Sequence, residues 1–376
     1  MASAPSILAH FASLDDPRAG PAIRHELRDI VAIALCAVIC GADTWVEVEQ
    51  FGHDKREWLG TFLALPHGIP SHDTFGRVFA ALDPAQFERA FASWVQAVAR
   101  LTGGEVVAVD GKVLRRSHDR ANGKDALALV SAWAATNRLT LGQVAVADGS
   151  NEIAAIPALL RLLALQGCIV TIDAIGCQTA IARQVVAQEA DYVLALKTNQ
   201  GTLHEAVAVL FAEGQATRFA GFAHTTHRTV EKGHGRLEIR RTWAVSEPEV
   251  IAYLDPAGAW PGLRSVAMVE AERRIGPAVS RETRYYISSL PGDAESLGAA
   301  VRGHWGIENR LHWVLDVAFR EDESRVRQGA ADHNLALLRR LALTLLRRET
   351  TAKIGTKAKR LKTGWSTAYL LKILAG

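Results

Sequence analysis

Two aspartates and one histidine-rich segment carry the residue types that catalysis or metal binding needs. Asp110 closes the apolar run Val106-Val107-Ala108-Val109, and Asp173 closes Ile169-Val170-Thr171-Ile172. An acid at the C-terminal end of a buried strand sits where α/β sheets present groups to ligands. Between residues 302 and 316, His304, Glu308, His312 and Asp316 recur at every fourth position. On a helix they share one stripe. A polar stripe beside anchors such as Trp305 and Leu315 is either satisfied by internal partners or faces a metal or substrate. Plain structural roles compete at each place. Asp110-Gly111 is also a hairpin-turn dipeptide, and Asp173 can cap the helix beyond Gly176. Gly303 and Gly306 weaken the start of the helix that bears the stripe.

Three separated carboxylates suit hard divalent cations. Mg²⁺ prefers oxygen ligands, keeps several waters, and is commonly held by a few carboxylates plus substrate phosphate. Two such ions about 3.5–4 Å apart can activate a nucleophile and stabilise the leaving oxygen in phosphoryl transfer. A zinc hydrolase on His304, Glu308 and His312 is the chemical rival. Its spacing lacks the compact His-Glu-x-x-His pattern, and it leaves Asp110 and Asp173 without a role. His224, His227 and His234 have no matched Cys or carboxylate spacing for zinc.

The stretches that position these residues change character along the chain. Residues 1–103 are helical in pattern, with apolar residues at helical spacing from Leu27 to Ile39 and Phe87, Phe91, Trp94 and Val98 on one stripe. Strand patterns begin after Thr102-Gly103-Gly104. Three strands followed by alternating helices and strands over 104–213 predict a mixed α/β sheet flanked by helices. Residues 214–291 lose the helical rhythm and read as a β-rich insertion, with strands over 227–245, 265–273 and 283–290. Helical pattern returns over 292–348, carrying Glu308, and 349–376 reads as a basic tail.

Composition excludes other classes. The chain has 376 residues, 49% hydrophobic and 22% charged, which suits a globular protein and not a disordered one. Its longest strongly apolar stretch, residues 30–42, is 13 residues long, against about 20 for a membrane span. No signal-peptide pattern is visible at Met1-Ala2-Ser3-Ala4-Pro5. Four cysteines, Cys36, Cys40, Cys168 and Cys177, predict reduced thiols in the cytoplasm and not a disulfide scaffold. The net charge of +3 is unevenly placed: residues 301–376 hold 15 Lys/Arg against 7 Asp/Glu. Such a bias is either a solvated face or a contact for an anion, nucleic acid first.

Several motifs then match one family. They are Val109-Asp110-Gly111-Lys112, Ile172-Asp173-Ala174 with Gly176-Cys177-Gln178, and Asp191 to Lys197 with Asn199-Gln200. Glu231-Lys232-Gly233-His234-Gly235-Arg236, the segment from His304 to Asp316, and Phe319, Glu321-Asp322 and Arg325 continue the match. Nearer the start, Asp43-Thr44-Trp45, Phe51-Gly52 and the run from Gly68 to Phe75 add to it. With them, the sequence resembles the DDE transposases of bacterial insertion sequences, of the H-repeat-associated type linked to Rhs elements.

The resemblance implies an RNase H-like catalytic core over 104–213 and 292–348, interrupted by the β-rich insertion before the helix of the third acid. An N-terminal helical domain over 1–103 would help bind DNA. It implies Asp110, Asp173 and Glu308 as the catalytic triad and as ligands of two Mg²⁺ ions, with Mn²⁺ able to substitute. The implied activity is DNA cleavage at element ends and strand transfer. The implied partners are terminal-repeat and target DNA, engaged by a homodimer in the cytoplasm at the nucleoid, with no membrane. The alternative is a catalytically silent DNA-binding regulator derived from a transposase. Related enzymes often carry a Tyr, Arg, Glu, Lys signature around the third acid; counted from Glu308, those positions here hold Val301, His304 and Leu315. Expected DNA contacts are Lys112, Arg115 and Arg116, then Lys197, Asn199 and Gln200, then Arg302 and His304, and in the basic tail Lys357, Lys359, Arg360 and Lys362.

Overall fold

The computed structural model describes residues 7–375, except 22, 100, 120, 121, 148 and 234. His234 therefore lies outside the described residues. Six helices come first: α1 (Ile7–His10), α2 (Leu27–Ile39), α3 (Trp45–Asp54), α4 (Arg56–Leu59), α5 (His72–Ala81) and α6 (Pro84–Val98). Their starts follow capping chemistry. Thr44 and Glu47 form a reciprocal capping box on α3, Ser71 caps α5, and Asp83 with Pro84 opens α6.

The sheet begins with β1 (Val106–Val113), β2 (Ala128–Ala134) and β3 (Leu139–Ala145) as an antiparallel meander. After α7 (Glu152–Arg161) comes β4 (Ile169–Ile172), and after α8 (Thr179–Ala187) comes β5 (Asp191–Leu196). Strand β4 runs parallel to both β1 and β5. Helix α9 (Gly201–Thr217) leads to β6 (His224–Gly233), β7 (Arg236–Val245), the short helix α10 (Pro248–Leu254), β8 (Ser265–Ile275) and β9 (Ala278–Ser288). All nine strands form one sheet in the order β3-β2-β1-β4-β5-β9-β8-β7-β6. The first five, with their antiparallel meander and two parallel additions, fit an RNase H-like arrangement.

The β-rich region differs from the sequence reading in one way. The single strand expected over 227–245 is a hairpin, because Gly233 and Gly235 break it, and Gly235 adopts φ of +72°. Strand β9 pairs antiparallel with β5, Val193 opposite Ser288, so the insertion lengthens the core sheet.

Helix α11 (Ala294–Gly306) crosses this junction, lying over β1, β4 and β5 and also over β6, β7 and β8. Close approach explains Gly303, one of the two glycines that weaken the helix pattern, and Gly298 as well. A Cβ at Gly303 would sit 3.0 Å from Val106 Cγ1, and one at Gly298 2.8 Å from Thr242 Oγ1. A π-helical segment, Ile307–His312, and α12 (Trp313–Phe319) continue the helix.

The chain ends in α13 (Ala331–Arg348), α14 (Thr356–Trp365) and α15 (Thr367–Ala375). Residues 331–346 are all buried, with α2, α5 and α6 packed against α13. Two of its polar residues reach the N-terminal helices: His333 Nε2 lies 2.7 Å from Glu88, and the Asn334 amide donates to the Phe79 and Leu82 carbonyls at 2.8 Å. Each such group left unpaired would cost about 1–3 kcal/mol.

The expected basic tail is thus a pair of packed helices, and two of its expected DNA contacts are internal. Lys359 donates to the Leu346 carbonyl at 2.9 Å, also bonds the Glu349 carbonyl, and is 8% exposed. Arg360 is 4% exposed. It donates to the carbonyls of Val38 and Ala318, pairs with Asp43 at 3.1 Å, and stacks 4.1 Å above the Phe319 ring. Neither cation can reach a phosphate. No single helix among the described residues is long and apolar enough to cross a membrane.

Arg360 therefore ties three separate stretches of chain together. Arg360→Ala should destabilise the protein by about 1–3 kcal/mol for each buried carbonyl it strips of its partner, those of Val38 and Ala318. Urea unfolding of the full chain measures this, and an unchanged midpoint would count the contact as idle.

Candidate active site

The parallel pairing of β1 with β4 sets Val109 opposite Ile172. The next residue on each chain is an acid, Asp110 or Asp173. Asp110 does not end its strand. Strand β1 runs on to Val113, with Asp110 opposite Ser131 and Gly111 opposite Val130, so the hairpin-turn reading is excluded. Nor does Asp173 cap α8, whose N-cap is Gln178. Its Oδ1 accepts from the Ile175 amide at 3.2 Å and shapes the loop beyond β4.

The stripe His304, Glu308, His312 and Asp316 lies along these two strands. His304 Nδ1 is 3.1 Å from Thr171 Oγ1 on β4. Glu308 and His312 reach Asp110 on β1, and Asp316 bonds Lys112 further along it. Ile307, Leu311 and Leu315 bury the other side. Trp305 is only half-buried and sits under Arg284, whose Cζ is 4.4 Å from the ring centre. Glu308 and His312 both belong to the π-helical segment, an irregularity that often marks functional sites.

Ligand atoms of Asp110, Glu308 and His312 all lie within 4.8 Å of one another. Asp110, Asp173 and Glu308 line one cleft of about 470 Å³, with Lys197, His204, Arg284, Tyr285 and His304 on its walls. The electrostatics record the crowding. The Asp110 carboxyl is pushed up to about 7, first by burial and then by the charge of Asp173, with Glu152 and Glu308 adding to it and the Gly111 amide opposing. His312 is pushed down to about 3 by burial and by Arg340 and Lys112 nearby, so it is neutral. Its side chain is 3% exposed and its Nε2 stands 3.6 Å from Asp110 Oδ2, beyond hydrogen-bond reach. Among the described residues neither ring nitrogen has a hydrogen-bond partner.

The other expected contacts divide. Lys112 bonds Asp316 and lies 3.3 Å from Glu321, which Arg340 holds at 2.8 Å in a fully buried pair. Its ammonium is spent on this network and does not face a phosphate. The Asn199 and Gln200 amides donate to the carbonyls of Ala174 at 2.6 Å and Cys177 at 2.9 Å, so they fix the loop after Asp173 and are not free for DNA. His304 is bonded to Thr171 and kept neutral by burial. Arg302 pairs with Glu231 at 2.8 Å on the surface. Arg115 is 82% exposed, touching Asp322 at 3.2 Å, and Arg116, Lys197, Lys357 and Lys362 are exposed.

Comparison with known proteins places this cleft in a family. The family description Transposase DDE domain matches residues 101–345, and its companion, DDE_Tnp_1-associated, matches residues 8–95. The chain belongs to the DDE transposases. It is 41% identical over 375 residues to "Putative transposase YncI" of Escherichia coli O157:H7, covering 98% of this chain and 94% of that one. It is 35% identical over 374 residues to "H repeat-associated putative transposase YhhI" of Escherichia coli K12, covering 98% of each. A shorter relative, "Inactive transposase YbfQ" of the same strain, is 36% identical over 72 residues, 19% of this chain and 86% of that one.

The donor set of this transposase suits a divalent cation. Crowded carboxylates and a neutral, unpartnered imidazole are what a metal ion would satisfy. Sequence reading missed Arg284, which lies in the insertion with no motif around it. It also missed Glu152, which opens α7 and faces Asp110.

Asp110 makes stability depend on pH. Its folded form keeps a proton up to about pH 7 and its unfolded form only to about 3.8. Folding therefore holds an extra proton between those values, and the protein loses stability as pH rises through them. Asp110→Asn removes this loss. In EDTA the variant should melt above the parent, by a gap that widens from pH 4 to pH 7 and is constant beyond. Mg²⁺ at pH 8 should raise the melting temperature of the parent alone. A gap independent of pH would contradict the crowding.

Proposed function

We propose that this transposase cuts DNA at the ends of an insertion sequence and joins those ends to target DNA. Asp110, Asp173 and Glu308 would be its catalytic triad and would hold two Mg²⁺ ions, for which Mn²⁺ can stand in. The observation that carries the reading is their convergence on one cleft, with the Asp110 carboxyl pushed up to about 7 by burial and then by its acidic neighbours. When bound, the ions activate the attacking oxygen and stabilise the leaving one. The protein's own groups do the rest. Glu308 is exposed and reaches the cleft from the helix, so a DNA strand can approach it from solvent. Arg284 and Lys197 on the cleft wall can position phosphates beside the acids.

DNA would lie across the exposed cations. Arg116, Lys357 and Lys362 are exposed, and Arg115 is available by exchange of its Asp322 pair. Arg302 is available by exchange, since a surface pair such as Arg302–Glu231 is worth about 0–1 kcal/mol and yields to a phosphate. The partners are terminal-repeat and target DNA bound by a homodimer, which places the protein in the cytoplasm at the nucleoid. Phosphate contacts of this kind position the duplex but do not read sequence.

Cleavage of element-end DNA in Mg²⁺ tests the reading. Asp110→Ala and Glu308→Gln should abolish cleavage and largely spare DNA binding. Cleavage by either variant would overturn the triad, and tight binding with no cleavage by the parent protein would favour a silent regulator. A salt titration tests the surface. Removing the charges of Lys357 and Lys362 together should flatten the log–log salt dependence by up to about 2 units, at roughly 0.9 per phosphate contact. Removing that of Lys359 should change it only through loss of fold.

A further inference from the structure

Gly111 follows Asp110 in β1, and the space beside its Cα is taken. A Cβ there would lie 1.9 Å from Glu152 Oε1, 2.2 Å from its Cδ and 2.7 Å from its Oε2. The carboxylate of Glu152 thus rests on the main chain next to Asp110, and only glycine leaves room for it. Glu152 is held there by the first turn of α7. A glutamate at a helix start commonly faces solvent and favours the helix dipole. This one is half-buried, points at β1, and makes no hydrogen bond or ion pair among the described residues. Burial and the charge of Asp173 both push its carboxyl up, and no cation is set against them.

Asp110 therefore has three acidic neighbours, Asp173, Glu152 and Glu308, whose charges all act on it. Asp110 stands between two sets. Glu152 and Asp173 act on it from the side of α7 and β4, and Glu308 and His312 from the π-helical segment. His312 is an independent sign of a ligand site, being 3% exposed, aimed at Asp110 Oδ2 and, among the described residues, unpartnered at both nitrogens. Unpaired charge costs free energy unless something cationic completes the set.

We propose that Glu152 is a fourth acid of the metal site, a ligand of the divalent ion bound on the Asp110–Asp173 side. This rests on the two-ion reading of the cleft given above. Glu308 and His312 would then serve the second ion, with Asp110 shared. Gly111 is the positioning residue that admits the fourth carboxylate.

Mn²⁺ binding to the full chain, followed by calorimetry and by the electron-spin signal of the free ion, tests this without any reaction. The parent, Glu152→Gln, Gly111→Ala and Asp110→Asn are compared. Glu152→Gln should weaken one of two Mn²⁺ sites by at least about tenfold, since affinity follows the number of charged ligands, and leave the other near its parent value. Gly111→Ala keeps the acid but displaces it, and should weaken the same site. Asp110→Asn should weaken both. In EDTA at pH 8, Glu152→Gln should melt no lower than the parent, which separates lost ligation from lost fold. Parent-like Mn²⁺ binding by both Glu152→Gln and Gly111→Ala would overturn the role of Glu152. If Asp110→Asn also binds like the parent, the two-ion reading itself falls, and this inference with it.

Discussion

Mutual repulsion among carboxylates is the constraint to which the surroundings of the cleft answer. Two unit charges about 4 Å apart repel by about 4 kcal/mol at an effective dielectric of 20. No side chain can hold several such groups together by itself, so the backbone must. The parallel register of β1 and β4 fixes two aspartates side by side, α7 leans Glu152 onto Gly111, and the helix after α11 delivers Glu308. Nearby cations are turned elsewhere. Lys112 and Arg340 are committed to Asp316 and Glu321. His312 is kept uncharged first by burial and then by the same cations. The negative field is thus left open to something from solvent.

The extension of the sheet serves the same end. Because β9 continues the core beside β5, Arg284 on β9 and Trp305 on α11 meet at the wall of the cleft. Helix α11 needs a platform wide enough to lie on, and it gets one from β1 through to β6. The glycines at 298 and 303 let it settle close to that platform, which fixes the height at which Glu308 stands. An insertion far along the chain therefore sets the position of a residue beyond it.

What the sequence disclosed depended on whether a residue's role shows in its immediate neighbours. Asp110 and Asp173 were visible because each follows a short apolar run, and the four-residue stripe because a helix converts spacing into direction. Family resemblance named Glu308 as the third acid. Lys359 and Arg360 read as solvent-facing because a charged residue in a basic run looks the same whether it is wet or buried. Only the carbonyls of Val38, Ala318 and Leu346, remote in sequence, reveal the difference. Glu152 was silent for a similar reason: its neighbour is Gly111, forty-one positions earlier. The hairpin of β6 and β7 passed as one strand because only the glycines at 233 and 235 mark the turn between two extended stretches.

The burial of α13 against α2, α5 and α6 has a consequence for the birth of the molecule. A ribosome makes the first six helices well before residues 331–346 exist. Until those emerge, the sides of α2, α5 and α6 that pack on α13 stay uncovered, and the buried carbonyl of Val38 waits still longer for Arg360. Loop closure over roughly 300 residues comes late and is slow. The helical part must therefore spend the time of synthesis half-assembled, a state open to chaperones and proteases, and it becomes sealed only when nearly the whole chain has been made.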